Sequence, residues 1–204
     1  AKDGKDTYVN KYFYTDIDST RIYTDGSGAS GVAGGFAVSR YASAKGPTQN
    51  YMFMTEENYF IGYNAGDSVT SGLYNLFCGH ESGISDTSGS NNVFLGYHSG
   101  YNNANANYNV FIGNETGYNN TTGQYNTFTG YRSGYNNIDA GYNSFYGFES
   151  GFLNQSGTHN SFFGYQSGRS NVSGSRNIFI GYRAGYTNQS GGYNIYLGNQ
   201  AGYT

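Results

Sequence analysis

From residue 58 onward, polar and apolar positions follow a pattern that restarts every 17 residues. Asparagine stands at Asn58, Asn75, Asn92, Asn109, Asn126, Asn143, Asn160, Asn177 and Asn194, with no insertion or deletion between units. Taking each of these as offset 0, offset +2 is aromatic throughout: Phe60, Phe77, Phe94, Phe111, Phe128, Phe145, Phe162, Phe179 and Tyr196. Offset +4 is glycine from Gly62 to Gly198. Offset +8 is glycine from Gly66 to Gly202, preceded each time by Ala, Ser or Thr. A second asparagine recurs at offset +11, in Asn103, Asn120, Asn137, Asn154, Asn171 and Asn188. The unit reads N-x-F-x-G-Y-x-S-G-Y-x-N-x-x-G-x-Y.

A fixed period of this size decides the architecture before any local propensity does. Each unit holds a short alternating run closed by glycine, a second short segment closed by glycine, and a polar turn. Seventeen residues are too few for a helical hairpin, and glycine at fixed phase costs a helix about 1 kcal/mol per residue. The pattern predicts an all-β chain, a parallel β-solenoid (β-roll) of nine 17-residue coils over 58–204, with two short strands and two turns per coil. Coils rising by about 4.8 Å would make a rod of about 40 Å. Like columns then become ladders, aromatic at offset +2 and amide-bonded at offset 0.

Offset +3 holds Ile61, Cys78, Leu95, Ile112, Thr129, Tyr146, Phe163, Ile180 and Leu197, so both strand faces are expected to be buried, one of them against another subunit or layer. Offset +6 holds Asn64, Glu81, His98, Glu115, Arg132, Glu149, Gln166, Arg183 and Gln200, and reads as a solvated stripe of mixed charge.

Residues 1–57 lose the phase and carry all four lysines. They read as a small N-terminal β module that caps or connects the solenoid. Lys2 to Asp6 reads as a linker, Tyr12–Thr15 with Arg21–Tyr23 as strands, Gly26–Gly35 as a loop, and Gly35–Arg40 and Met52–Thr55 as further strands. The chain opens at Ala1 without a signal-peptide pattern, which points to a processed or excised piece. The last unit stops eleven residues in, at Thr204, with no change of composition. Either the natural chain continues, or another subunit's N-terminal region covers that end in a head-to-tail fibre.

Composition removes several functions. Of 204 residues, 33 are Gly, 24 Tyr and 14 Phe, and the formal net charge of −3 with ten basic residues leaves no patch for nucleic acid. No stretch approaches the eighteen apolar residues of a membrane span. Cys78 stands alone, so neither an intrachain disulfide framework nor a thiolate cluster can form. His80, His98 and His159 lie far apart along the chain and match no metal-ligand spacing, so no metal and no cofactor are expected. Asp67, Glu81, Asp86, Glu115, Asp139 and Glu149 fall at assorted phases and do not converge as a catalytic pair would. The Asn-x-Ser/Thr triplets at Asn114, Asn119, Asn120, Asn154, Asn171 and Asn188 read as polar turns before they read as glycan acceptors.

The segments Asp18–Tyr23, Gly34–Ser39 and Glu57–Gly62, with the repeated N-x-F-I-G-Y-x-S-G core, resemble large repeat proteins secreted by Bacteroidota. More distantly, the core is similar to the head repeats of trimeric autotransporter adhesins and to phage tail-fibre β-rolls. The resemblance implies an extracellular or cell-surface location and O-glycosylation at Ser19 and Ser68, within Asp18-Ser19-Thr20 and Asp67-Ser68-Val69. The function expected is a non-enzymatic structural subunit or segment of a self-assembling surface fibre, partnered by itself head to tail or as a trimer. The alternative is an adhesin head or carbohydrate-binding surface that uses exposed Asn columns and the Tyr columns at offsets +5 (Tyr63, Tyr97, Tyr131, Tyr165, Tyr182) and +9 (Tyr101, Tyr118, Tyr135, Tyr186, Tyr203) on glycans or a host surface.

Overall fold

The computed structural model describes residues 11–15, 20–23, 36–40 and 49–203, with side chains described from residue 51. Lys2 to Asp6, Ser19 and the loop before Phe36 lie outside the described residues. Strands β1 (Lys11–Thr15) and β2 (Thr20–Tyr23) pair antiparallel. Strands β3 (Phe36–Arg40) and β4 (Gln49–Met54) pair likewise, and β4 runs antiparallel against β5 (Tyr59–Ile61).

From β5 the sheet is parallel. It continues through β6 (Leu76–Cys78), β7 (Val93–Leu95), β8 (Val110–Ile112), β9 (Thr127–Thr129), β10 (Ser144–Tyr146), β11 (Ser161–Phe163), β12 (Ile178–Ile180) and β13 (Ile195–Leu197). Every neighbour is displaced by 17 residues, so Phe60 pairs with Phe77, Phe77 with Phe94, and so on to Phe179 with Tyr196. The class of protein is therefore a parallel β-solenoid of tandem 17-residue repeats, as the periodicity predicts.

The expected second strand per coil is replaced by a turn. The residue at offset +6 takes φ near +52° (Glu81 53°, His98 52°, Arg132 54°) and the glycine at offset +8 takes φ near +60°. Two left-handed residues in three break an extended run. The turn still bonds to its neighbours: Glu81 N donates to Tyr63 O at 2.7 Å, and Gly83 N to Ser99 O at 3.0 Å. At offset +8 glycine is required twice over, because a Cβ on Gly83 would also meet the ring of Phe77 at 2.6 Å. The aromatic and that glycine are one packing unit.

The interior is a single file of rings. Phe77 through Phe179 are fully buried and stack at centroid distances of 4.7–4.9 Å with planes within 8° of parallel. Each such contact adds about 0.5–1.5 kcal/mol beyond area burial. The file extends to the antiparallel module, where Phe53 stacks on Phe60 at 6.2 Å.

Of the two faces expected to be buried, the chain itself encloses one and leaves uncovered the one expected to meet another subunit or layer. Offset +2 is buried, while offset +3 is half-buried or exposed: Ile112 39%, Phe163 38% and Ile180 40%. The coil is too thin to enclose both faces of its strand, so the opposite face lies open within the single chain.

Candidate functional site

Three inner columns hold the coils together through backbone-directed side chains. At offset 0, Asn75 Nδ2 donates to Gly89 O of its own coil at 2.8 Å, and its Oδ1 accepts the N–H of Asn92 in the next at 3.0 Å. The same pair of bonds recurs from Asn58 to Asn177. At offset +11 the ladder is amide to amide: Asn120 Nδ2 donates to Asn103 Oδ1 at 2.9 Å and to Gly123 O at 3.0 Å. At offset +7, Ser82, Ser99, Ser133, Ser150 and Ser167 donate to the carbonyl of the next coil's Phe at 2.9–3.2 Å. Among the described residues no buried side-chain polar atom lacks a partner, the condition under which buried polar columns stabilise a fold.

This geometry also accounts for the Asn-x-Ser/Thr triplets. Asn120, Asn154 and Asn171 are fully buried with Nδ2, the glycan acceptor atom, engaged in the ladder. Ser68 is half-buried in the turn after Gly66.

Asp86 replaces asparagine at the N-terminal end of the offset +11 ladder, where the preceding coil has Val69 and offers no acceptor. Its oxygens accept from Gly89 N at 2.7 Å and Asn103 Nδ2 at 2.9 Å. Burial pushes its carboxyl up to about 7, against the lowering effect of those two bonds.

The outer columns differ in kind. At offset +6 the expected solvated stripe is instead a half-buried ladder in which carboxylates meet donors from adjacent coils. Glu115 takes Arg132 Nε at 2.5 Å, while Glu149 takes Gln166 Nε2 at 2.9 Å and Arg169 Nε at 2.7 Å. The reason is the left-handed backbone at this offset, together with neighbouring coils that set like offsets side by side. Burial opposes ionisation of Glu149, but its bonds to Arg169 and Gln166 outweigh it and hold the carboxyl below its ordinary range.

The offset +5 column is exposed from Tyr97 to Tyr182 and the offset +9 column is half-buried from Tyr101 to Tyr186, and both stack along the rod. Tyr131, Phe148, Tyr165 and Tyr182 stack at 5.1–5.4 Å, and Tyr101, Tyr118 and Tyr135 at 4.9–5.0 Å. A further aromatic column at offset +16, Tyr108, Tyr125, Tyr142 and His159, stacks at 4.8–5.0 Å with φ near +60°.

Two histidines that the sequence separates are neighbours in space. His98 Nε2 lies 2.9 Å from Glu81 Oε2, and His80 Nδ1 lies 3.9 Å from that same oxygen. The reading that the histidines form no group is corrected for this pair: His98 follows Glu81 by one repeat, so the two face each other across coils. His159 stands apart, stacked on Tyr142.

Among the described residues no helix is long and apolar enough to cross a membrane. No family model, curated protein or solved structure matches the chain.

Proposed function

We propose that the chain is a non-enzymatic structural module of an extracellular, self-associating surface fibre. The observation that carries this reading is the open face of the sheet. Offsets +1 and +3 from Tyr59/Ile61 to Ile195/Leu197 include no charged residue in nine consecutive strands, and the face is half-buried to exposed along its length. A regular uncharged strip about 40 Å long fits a second periodic sheet, packed face to face about 10 Å away. A second copy of this chain has the same period and the same uncharged face. The resemblance to secreted repeat proteins supports the extracellular setting.

The test is multi-angle light scattering with negative-stain microscopy of the full chain, beside Ile112→Lys and Phe163→Lys. Concentration-dependent oligomers or filaments are expected for the wild type, and monomers for the variants. A wild type that stays monomeric at all concentrations overturns the proposal.

A glycan-binding surface is the second reading, carried by the exposed hydroxyl edges of Tyr97, Tyr131, Tyr165 and Tyr182. It ranks lower because each ring's faces are turned toward its neighbours in the ladder, leaving few for stacking on sugars. Binding on a glycan array that is lost in Tyr165→Ala would promote it, and an array without binding would remove it.

A further inference from the structure

We propose that His80, Glu81 and His98 form a divalent transition-metal site, of the zinc class, that clamps the second coil to the third. Their nearest donor atoms all lie within 4.8 Å of one another, and among the described residues no other group of His, Cys, Asp or Glu does so. Two imidazole nitrogens and one carboxylate oxygen are a donor set for zinc rather than for calcium or magnesium, which take six or more oxygens. Three protein ligands leave the fourth tetrahedral position to water or an outside ligand.

The distances suit an ion. Donors on a zinc tetrahedron with bonds near 2.05 Å lie about 3.3 Å apart, and the separations of Glu81 Oε2 from His98 Nε2 and His80 Nδ1, 2.9 Å and 3.9 Å, bracket that value. Glu81 and His98 are the fixed half, with side chains 20% and 16% exposed and the His98 ring stacked on Tyr97 at 3.7 Å. His80 is the more exposed half, 48% exposed and stacked on Tyr63 at 5.0 Å, and binding would require its Nδ1 to draw closer to Glu81 than its present 3.9 Å. Its exposed edge also leaves a route for the ion.

A second observation separates this junction from the others. The carboxylates at the same offset further along, Glu115 and Glu149, are each answered by a guanidinium, from Arg132 and Arg169. A guanidinium stays protonated and cannot ligate. At Glu81 both neighbouring groups are imidazoles, which can. Because the ligands come from adjacent coils, binding to the folded chain alone would stabilise it by mass action.

Isothermal titration of the full chain with zinc chloride in a non-chelating buffer, followed by thermal melts with and without zinc, tests the site. One zinc per chain is expected, with a rise in melting temperature. Affinity should fall at least tenfold in His80→Gln and in Glu81→Gln, which keeps a hydrogen-bonding partner for His98, and should be unchanged in His159→Gln. X-ray absorption should show two imidazole nitrogens in the first shell. Absence of saturable binding overturns the proposal, as does equal binding by the wild type and Glu81→Gln. Circular dichroism of each variant separates lost ligation from lost fold.

Discussion

The second coil, residues 75–91, and the sixth, residues 143–159, share one backbone but differ at several offsets that the backbone does not fix. Glu81 and Glu149 take φ of 53° and 49°, Gly83 and Gly151 take 60° and 61°, and Phe77 and Phe145 are both fully buried. Yet the second coil has Cys78, His80 and Asp86 where the sixth has Tyr146, Phe148 and Asn154. Offsets 0, +2, +4 and +8 recur in every coil and offset +7 keeps to Ala, Ser or Thr, whereas the outward offsets vary. Departures from the consensus are therefore where particular chemistry is to be sought, while the consensus itself reports packing.

The strongest way to break this comparison is to delete a ring inside and a ring outside the same coil. Phe145→Ala leaves a void between two stacked neighbours and should cost about 3–5 kcal/mol, as large aromatic deletions in cores do. Tyr146→Ala, one residue along and 37% exposed in the single chain, should cost about 1 kcal/mol or less. Urea denaturation of both at low protein concentration measures the difference. Phe77→Ala in the second coil should match Phe145→Ala, and equal losses for Phe145→Ala and Tyr146→Ala would refute the division into inner and outer columns.

Asp86 sharpens the contrast with Asn154 through pH. The folded-state value of about 7 lies above an unfolded value near 3.8, so the folded chain binds the proton more tightly. Its contribution is fully present below about pH 4, declines between about 4 and 7, and is absent above about 7. Neutral Asp86 can act like the asparagine of every later coil, whereas the carboxylate is buried at a cost. Asp86→Asn should therefore stabilise the chain by about 1–3 kcal/mol above pH 7 and by almost nothing at pH 4. Melts across that range read the slope, and a constant difference would contradict the assignment.

Ser82→Ala and Ser150→Ala form the next smaller test. Each removes one hydroxyl bond to the next coil's Phe carbonyl, at 3.2 Å in both cases. The repeat itself uses buried alanine at this offset in Ala65 and Ala184, so no cavity problem follows. A loss of about 0.5–1.5 kcal/mol is expected for each, equal in the two coils within the error of chemical denaturation. Unequal losses would show that outward chemistry reaches the inner columns.

What could be read from the sequence divides along the same line. The period of 17 predicts the register, the buried Phe file and the Asn ladders, because each depends on residues that recur in every unit. The turn in place of a second strand was hidden because Glu81, His98, Arg132 and Glu149 at positive φ are residue types that do not announce that conformation. That one apolar face would lie outside so thin a coil was legible, but what covers it was not, because hydrophobicity alone names no partner. The histidine group was missed because helix and strand spacings are the wrong ruler: here residues i and i+17 are neighbours, and only that interval pairs Glu81 with His98.

The smallest expected effect concerns the offset +6 ladder, where Glu149 behaves oppositely to Asp86. Glu149 sits below its ordinary range because Arg169 and Gln166 overcome its burial, so its contribution is present near neutrality and lost as acid titrates it. Arg169→Gln leaves burial to dominate and should cost about 0.5–1 kcal/mol at pH 7, with the difference vanishing in acid. Arg132→Gln should cost less, since the Arg132 side chain is 36% exposed against 26% for Arg169, and water and salt screen the more exposed pair more strongly. Raising the ionic strength should therefore shrink the Arg132 effect before the Arg169 effect. An Arg132 loss that exceeds the Arg169 loss and resists salt would mean that this ladder belongs with the inner columns, and that the coil's backbone depends on more offsets than 0, +2, +4 and +8.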